Sequence, residues 1–147
     1  MTAVIQRVNS VFLKADGKPF SEIGKGLLIL LGVFDTDTEK ESELLANKIS
    51  GLRIFEDKND KMNLSVDDIE GEIMVVPNFT LCAETRRGKR PSFINAARPE
   101  KAEPLFELFK QTLKTNKKVQ SGSFGAHMDI DITADGPITI IFDTDNF

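Results

Sequence analysis

The sequence has very few of the side chains on which nucleophilic and metal-dependent catalysis usually depends. It contains one cysteine, Cys82, one histidine, His127, and neither tryptophan nor tyrosine. A single cysteine excludes an intramolecular disulfide and favours a reducing compartment. Zinc sites need several histidine, cysteine or carboxylate ligands at set spacing, and no glycine-rich segment matches a phosphate-binding loop. We therefore expect neither a metal nor another cofactor.

Long apolar segments are also absent. The longest apolar run, residues 27–34, is interrupted by Gly32 and is too short to span a bilayer. Residues 1–7 lack the charged start and the long apolar region of a signal peptide. We therefore expect a cytoplasmic protein that makes no membrane contact. The net charge of -4 argues against a protein that coats nucleic acid through bulk charge, although a local basic site is compatible with it.

The sequence does contain enough apolar material for one domain. It has 147 residues, of which 40% are hydrophobic and 29% charged, as in ordinary globular proteins. A chain of this length buries roughly 68–70% of the surface that its unfolded form exposes. Because no internal repeat or linker is present, we expect residues 1–147 to form a single domain.

The hydrophobic pattern predicts more strands than helices. One helix begins at Thr38, which has capping-box spacing with Glu41, and a second lies within residues 99–116, with Pro104 in its first turn. Residues 134–137 have the composition of a turn between two final strands. The predicted strands cover residues 3–13, 20–23, 26–34, 53–55, 72–76, 127–133 and 138–142. The predicted fold class is α+β, with a mostly antiparallel, barrel-like sheet and two main helices.

His127 and Cys82 are the only residues that could supply an imidazole or a thiol to a catalytic dyad or triad. The pattern favours a plainer interpretation, in which His127 lies on the exposed face of a strand and Cys82 is a small buried side chain. A cysteine hydrolase that uses this pair is an alternative. An enzyme without the pair must draw its catalysis from backbone groups, from a hydroxyl such as that of Thr80, or from the substrate.

The polar segment from residue 85 to residue 98 is the clearest electrostatic feature. It carries five basic residues in a chain that is acidic overall: Arg86, Arg87, Lys89, Arg90 and Arg98. Such a cluster can be a solvated loop or a phosphate-binding patch. The second interpretation also leaves open a small RNA-binding barrel without catalytic activity.

Colinear motifs from residue 3 to about residue 142 resemble those of one known family. Each motif is weak alone, whereas all of them in this order are specific. They are AVIQRV at residues 3–8, GLLILLGV at 26–33, LRIFED at 52–57, KMNLS at 61–65, FTL at 79–81, RPSF at 90–93, GSFGAHM at 122–128 and DGPIT at 135–139. On these motifs the chain resembles the D-aminoacyl-tRNA deacylases.

The resemblance implies an activity and an assembly. The family hydrolyses the ester that joins a D-amino acid, or glycine, to the 3′-terminal adenosine of tRNA. It does so as a homodimer without a metal or cofactor. We therefore expect an aminoacyl-tRNA substrate, with glycine mischarged on the alanine tRNA as a further one.

The resemblance also implies residue roles. Backbone N–H groups near Phe79 and Thr80 would stabilise the oxyanion, and Asn78 belongs to the same motif. The 2′-hydroxyl of the adenosine would activate the water, unless Thr80 itself acts as nucleophile. The expected lining of the adenosine or aminoacyl pocket is Phe124, Gly125, Ala126 and Met128. Independently of the resemblance, the basic cluster interpreted as a phosphate-binding patch assigns the tRNA phosphates to Arg86, Arg87, Lys89 and Arg90.

Rejection of L-amino acids is a further implication of the resemblance. A Gly136–Pro137 turn with a cis peptide bond would reach from one subunit into the pocket of its partner. Its carbonyl groups would accept hydrogen bonds from the ammonium group of the substrate and would leave no room for an L side chain. Glycine would pass because it has no side chain to exclude. Arg7 matches the family residue that supports this turn.

The sequence departs from the family pattern in two places. Pro77-Asn78 stands where the family has Ser-Gln, and Ala134 replaces the asparagine of the final motif. A sister family of tRNA-editing deacylases, in which the Gly–Pro bond is trans, also has proline at the first of these positions. That family has alanine in place of Phe79 and is an alternative.

Overall fold

The computed structural model describes residues 1–86 and 88–147. In these residues the strands are β1 Thr2–Ala15, β2 Lys18–Ile23, β3 Gly26–Gly32, β4 Phe55–Glu56, β5 Met62–Leu64, β6 Glu72–Pro77, β7 Gln120–Ser121 and β8 Met128–Asp143. The helices are α1 Glu39–Ser50 and α2 Pro99–Thr112, with short 3-10 helices at Phe79–Cys82 and Thr144–Asn146. The predicted α+β class with two main helices is confirmed.

The main sheet curls into a nearly closed barrel. Its strands lie in the order β2-β1-β3-β6-β7, and β8 pairs with β1 outside this path. The Ser21 hydroxyl on β2 donates to the Ser121 carbonyl on β7 over 2.9 Å, which joins the two ends of the order. The sheet is less uniformly antiparallel than predicted, since β3–β6 and β6–β7 are parallel pairs. The long connection that carries α1 and the β4–β5 hairpin makes a parallel β3–β6 pair possible.

Strand β8 is a single long strand, which corrects the predicted turn between two final strands. Residues 128–134 pair with the second half of β1, and residues 139–143 pair with its first half. The register jumps from Gln6↔Thr139 to Val8↔Ala134, so residues 135–138 bulge out opposite Arg7. The Gly-Pro sequence interrupts the local alternation as a turn would. Pairing of both flanks with the same partner strand makes it a bulge instead.

Both helices begin as their local sequences require. Thr38 caps α1 by accepting from the Lys40 N–H, while the Glu41 carboxylate accepts from the Thr38 N–H, as the predicted capping box requires. Helix α2 begins at Pro99, where the missing N–H costs little. Pro104 therefore lies in the second turn of α2, not in the first as predicted.

The sheet separates two apolar cores. Leu27 and Ile29 pack in the larger core together with the helices, whereas Leu28 packs in the smaller core inside the barrel. Successive residues of a strand point to opposite faces, so β3 needs apolar residues at every position. This explains its uninterrupted apolar run. Within the described residues, no helix has the length and apolar composition needed to cross a membrane.

Candidate active site

A cavity of about 840 Å³ opens where the ends of β3 and β6 meet the start of α2 and the segment that leads into β8. Its walls are mainly apolar. They bring together seven of the residues that the family resemblance indicated: Asn78, Phe79, Thr80, Phe124, Gly125, Ala126 and Met128. Residues more than 40 positions apart therefore share one pocket.

The first wall is the 3-10 helix that follows β6. The Asn78 N–H donates to the Leu31 carbonyl over 2.8 Å, which fixes the turn to the end of β3. The Thr80 hydroxyl donates to Asn78 Oδ1 over 2.5 Å. Within the described residues, the N–H groups of Phe79 and Thr80 donate to no backbone carbonyl. The wall thus offers two backbone donors and a hydroxyl whose proton is held by an amide oxygen.

The second wall is the segment that precedes β8. The Phe124 ring packs edge-on against the Phe106 ring of α2, with 6.1 Å between centroids. Asp16, in the β1–β2 turn, donates its N–H to the His127 carbonyl over 2.9 Å and accepts from the His127 N–H over 3.2 Å. The turn therefore holds this wall at the mouth of the cavity.

The cysteine and the histidine do not form a catalytic pair. Cys82 is buried and does not line the cavity, whereas His127 lines it and is 82% exposed. Burial, together with the nearby Asp37 carboxylate, raises the pKa of the Cys82 thiol to about 11. A thiol with this pKa holds almost no thiolate at neutral pH. Among the described residues, no group of three or more histidine, cysteine or carboxylate side chains could hold a metal ion.

The predicted selectivity residues lie apart from this cavity. Gly136 and Pro137 belong to the bulge of β8, are joined by a cis peptide bond, and do not line the cavity of their own chain. Arg7 is 5% exposed and lies beneath the bulge. Its Nε lies 3.0 Å from Asp135 Oδ2, in an ion pair that lacks the alignment of a hydrogen bond.

Two further contacts hold the Arg7 guanidinium. Its Nη1 donates to the Ile54 carbonyl over 2.8 Å and to Glu56 Oε2 over 2.7 Å. The Arg7 hydrogen bond is the main reason that the pKa of Glu56 is lowered from its usual value. Arg7 therefore connects the β4–β5 hairpin to Asp135, the residue that precedes Gly136.

The basic cluster stands beside the cavity. Glu84 and Ser92 pair at the base of the loop, and the Phe93 ring packs against the Phe79 ring with 5.2 Å between centroids. The side chains of Arg86, Lys89 and Arg90 are exposed. Arg87, the fourth predicted phosphate-binding residue, lies outside the described residues.

Several cavity residues were missed by the sequence analysis. They are Phe93, Ala96, Ala97, Pro99, Ala102 and Phe106, from the loop before α2 and from its first turns. The sequence signal for Phe106 was the apolar stripe of α2, which indicates burial but does not distinguish core from cavity wall. Arg98, noted only as a basic residue, also lines the cavity.

An apolar cavity with two backbone donors beside a basic loop suits hydrolysis of an ester that is carried by a nucleic acid. Residues 4–143 match the family model described as D-Tyr-tRNA(Tyr) deacylase. The chain belongs to this family, and the resemblance inferred from its motifs is confirmed. It is a hydrolase with D-aminoacyl-tRNA deacylase activity.

Similar proteins cover nearly the whole chain. A D-aminoacyl-tRNA deacylase of Thermosipho melanesiensis is 49% identical over 146 residues, which are 98% of this chain and 97% of that protein. One of Persephonella marina is 52% identical over 144 residues, which are 98% of each. A solved structure titled c-Myc DNA Unwinding Element Binding Protein is 38% identical, with a TM-score of 0.91 over 97% of this chain and 98% of that one.

We predict that neither Cys82 nor His127 is essential. Cys82→Ala and His127→Ala should each retain turnover of D-tyrosyl-tRNA, because the thiol is buried and protonated and the imidazole is solvated. Steady-state rates of both variants check this prediction. The same rates measured with EDTA test whether turnover needs a metal ion. A loss of about 100-fold in either variant, the low end of general-base contributions, would restore the cysteine-hydrolase alternative.

Proposed function

We propose that this deacylase works as a cytoplasmic homodimer that rejects L-amino acids at the 3′-terminal adenosine of tRNA. Its further substrate is glycine mischarged on the alanine tRNA. The observation that carries the proposal is the separation of the two predicted groups. The cavity lies at one place on the chain, and the Gly136–Pro137 bulge lies at another.

The surface of β8 supports a dimer. Within the described residues β8 pairs only with β1, so its other edge is free. Ile132 and Ile141 are exposed on this strand, with Ile141 70% exposed. A long edge strand with exposed apolar side chains is a typical surface for a second copy. In an isologous dimer, each bulge can reach the cavity of the partner.

The cavity wall at Phe79 supports hydrolysis through backbone groups. Two N–H groups without a backbone partner can stabilise the oxyanion, with a contribution of about 2.7–4 kcal/mol per donor in other enzymes. The Thr80 hydroxyl donates to Asn78 Oδ1, an amide oxygen that is no base, so Thr80 positions the wall and does not attack. The 2′-hydroxyl of the adenosine then activates the water.

Selectivity follows from what the bulge presents to the partner cavity. Gly136 offers backbone without a side chain, and Arg7 holds the neighbouring Asp135. In the dimer the bulge occupies the space beside the substrate α-carbon, so an L side chain would collide with it. Glycine has no such side chain and is hydrolysed.

The proposal is tested by turnover of matched D- and L-tyrosyl-tRNA by the purified protein, together with its mass in solution. We expect hydrolysis of the D ester by a dimer, with the L ester spared by a factor of about 100 or more in kcat/KM. Equal rates on the two esters would contradict the selectivity, and an active monomer would contradict the shared site.

We predict that the basic loop holds tRNA phosphates. The double variant Arg86→Gln/Arg90→Gln should weaken tRNA binding and reduce the log–log salt slope by roughly 0.7–0.9 per lost contact. Filter binding between low and moderate salt measures this slope. The double variant Lys58→Gln/Lys61→Gln, at the exposed β4–β5 turn, removes the same charge outside the cavity lining and is the matched control. A slope equal to that of wild type would mean that the loop is only solvated.

A further inference from the structure

Arg98 is a cationic side chain in a mainly apolar wall. Among the described residues that line the cavity, only His127 and Arg98 can carry a positive charge. His127 Nε2 lies 3.6 Å from Asp129 Oδ1, so it has an acidic neighbour. Arg98 is exposed, and within the described residues its guanidinium forms neither an ion pair nor a side-chain hydrogen bond. Its five donors are therefore available to a ligand.

The backbone beneath Arg98 is held on both sides. The Ala97 N–H donates to the Val33 carbonyl over 2.9 Å, just beyond the end of β3. The Arg98 carbonyl accepts from the N–H groups of Lys101 and Ala102, at 3.0 and 2.8 Å, as the first acceptor of α2. Because the Arg98 backbone is fixed, binding of a ligand restricts only the rotamers of its side chain.

We propose that Arg98 binds a phosphate group of the substrate next to the aminoacylated ribose. This inference rests on the proposed function and adds a binding residue to the same cavity. An aminoacyl ester presents an ammonium group, which a guanidinium repels. The phosphodiester that links the last nucleotides is the anionic group nearest to the ester. Arginine suits it because the planar fork can donate to two phosphate oxygens at once.

Arg98 acts at a different place from the basic loop. Arg86, Lys89 and Arg90 do not line the cavity, whereas Arg98 does. The loop residues meet phosphates outside the cavity. Arg98 binds the terminal nucleotide at the cavity itself, with the same strength before and during reaction, and therefore contributes to KM and not to kcat.

The test compares two substrates that share the ester and differ in phosphate. They are D-tyrosyl-tRNA and the D-tyrosyl ester of adenosine, which has no phosphate. Arg98→Gln should raise KM for D-tyrosyl-tRNA by about 10-fold, the effect of one charge-assisted hydrogen bond, with kcat unchanged. Its kcat/KM for the adenosine ester should equal that of wild type. Arg98→Lys should recover part of the loss, since it keeps the charge but not the fork.

Arg53→Gln, an exposed arginine outside the cavity lining, is the charge-matched control and should leave both substrates unaffected. An unchanged KM for D-tyrosyl-tRNA in Arg98→Gln, or an equal loss on both substrates, would overturn the inference. Should Arg98→Gln not fold, Arg98→Lys measured on the two substrates decides the question. Failure of the D/L selectivity of the wild type would contradict the proposed function alone, because the two-substrate comparison does not depend on chirality.

Discussion

Gly136→Ala should lower kcat/KM for D-tyrosyl-tRNA by about 100-fold or more, the typical cost of misplacing a reacting group by about 1 Å. An added Cβ would lie 2.7 Å from the Ile138 backbone nitrogen and 2.8 Å from Ile138 Cγ1, at a φ of +124°. Residues that carry a side chain rarely adopt this φ, so the backbone of the bulge must move. Under the proposed function the moved segment is the one that enters the partner cavity.

The control for this variant is Gly51→Ala. Gly51 follows α1, and an added Cβ there meets only the Lys48 carbonyl oxygen, at 4.0 Å. It should lose some stability and little turnover, whereas Gly136→Ala should lose turnover first. Unfolding by urea and single-turnover rates on D- and L-tyrosyl-tRNA separate the two effects. Full activity of Gly136→Ala, or an equal loss in both variants, would rule out the role given to the bulge.

Arg7→Met should reduce both stability and selective turnover. It keeps the apolar stem but removes the donor to the Ile54 carbonyl, which leaves a buried acceptor at a cost of about 1–3 kcal/mol. It also releases Asp135, so the bulge loses its ion pair. We expect kcat/KM for D-tyrosyl-tRNA to fall by more than the loss of stability explains, because the protein that remains folded still has a displaced bulge.

The acid dependence of stability gives an independent readout of the same contact. In the fold Arg7 lowers the pKa of Glu56 below its usual value of 4.5. A lowered folded pKa stabilises the protein above pH 4.5, and this stabilisation is lost as the pH falls from there through the folded pKa. The difference in unfolding free energy between wild type and Arg7→Met should therefore shrink over that window. A difference that is constant with pH would mean that Glu56 does not respond to Arg7. Lys58→Met, at an exposed position, is the control.

Much of the fold could be predicted because its signals are local. The capping box at Thr38 and Glu41 depends on residues three apart, and the buried run of β3 depends on consecutive apolar side chains. Both are decided by the backbone geometry of one element. The motifs that identify the family are likewise short segments of sequence. These features required no knowledge of which strands pair.

The errors and omissions lie where distant parts of the chain meet. Residues 134–137 were predicted as a turn, because Gly136 and Pro137 carry the local signal of one. They form a bulge because β1 pairs with β8 on both sides of them. Register between strands more than 100 residues apart depends on the whole sheet and leaves no periodic trace in either strand.

The sequence by itself determined strands β1, β2, β3 and β6, the helix cap, the family and the separate motifs of the site, but not β5, β7 or the continuity of β8. Only the tertiary structure decided that Phe106 and Arg98 belong to the cavity wall, and that Arg7 pairs with Asp135. The physical reason is that a cavity and a buried ion pair are formed by groups from different elements. Their distances are set by sheet order and packing, whereas the sequence pattern reports only which face of each element is buried.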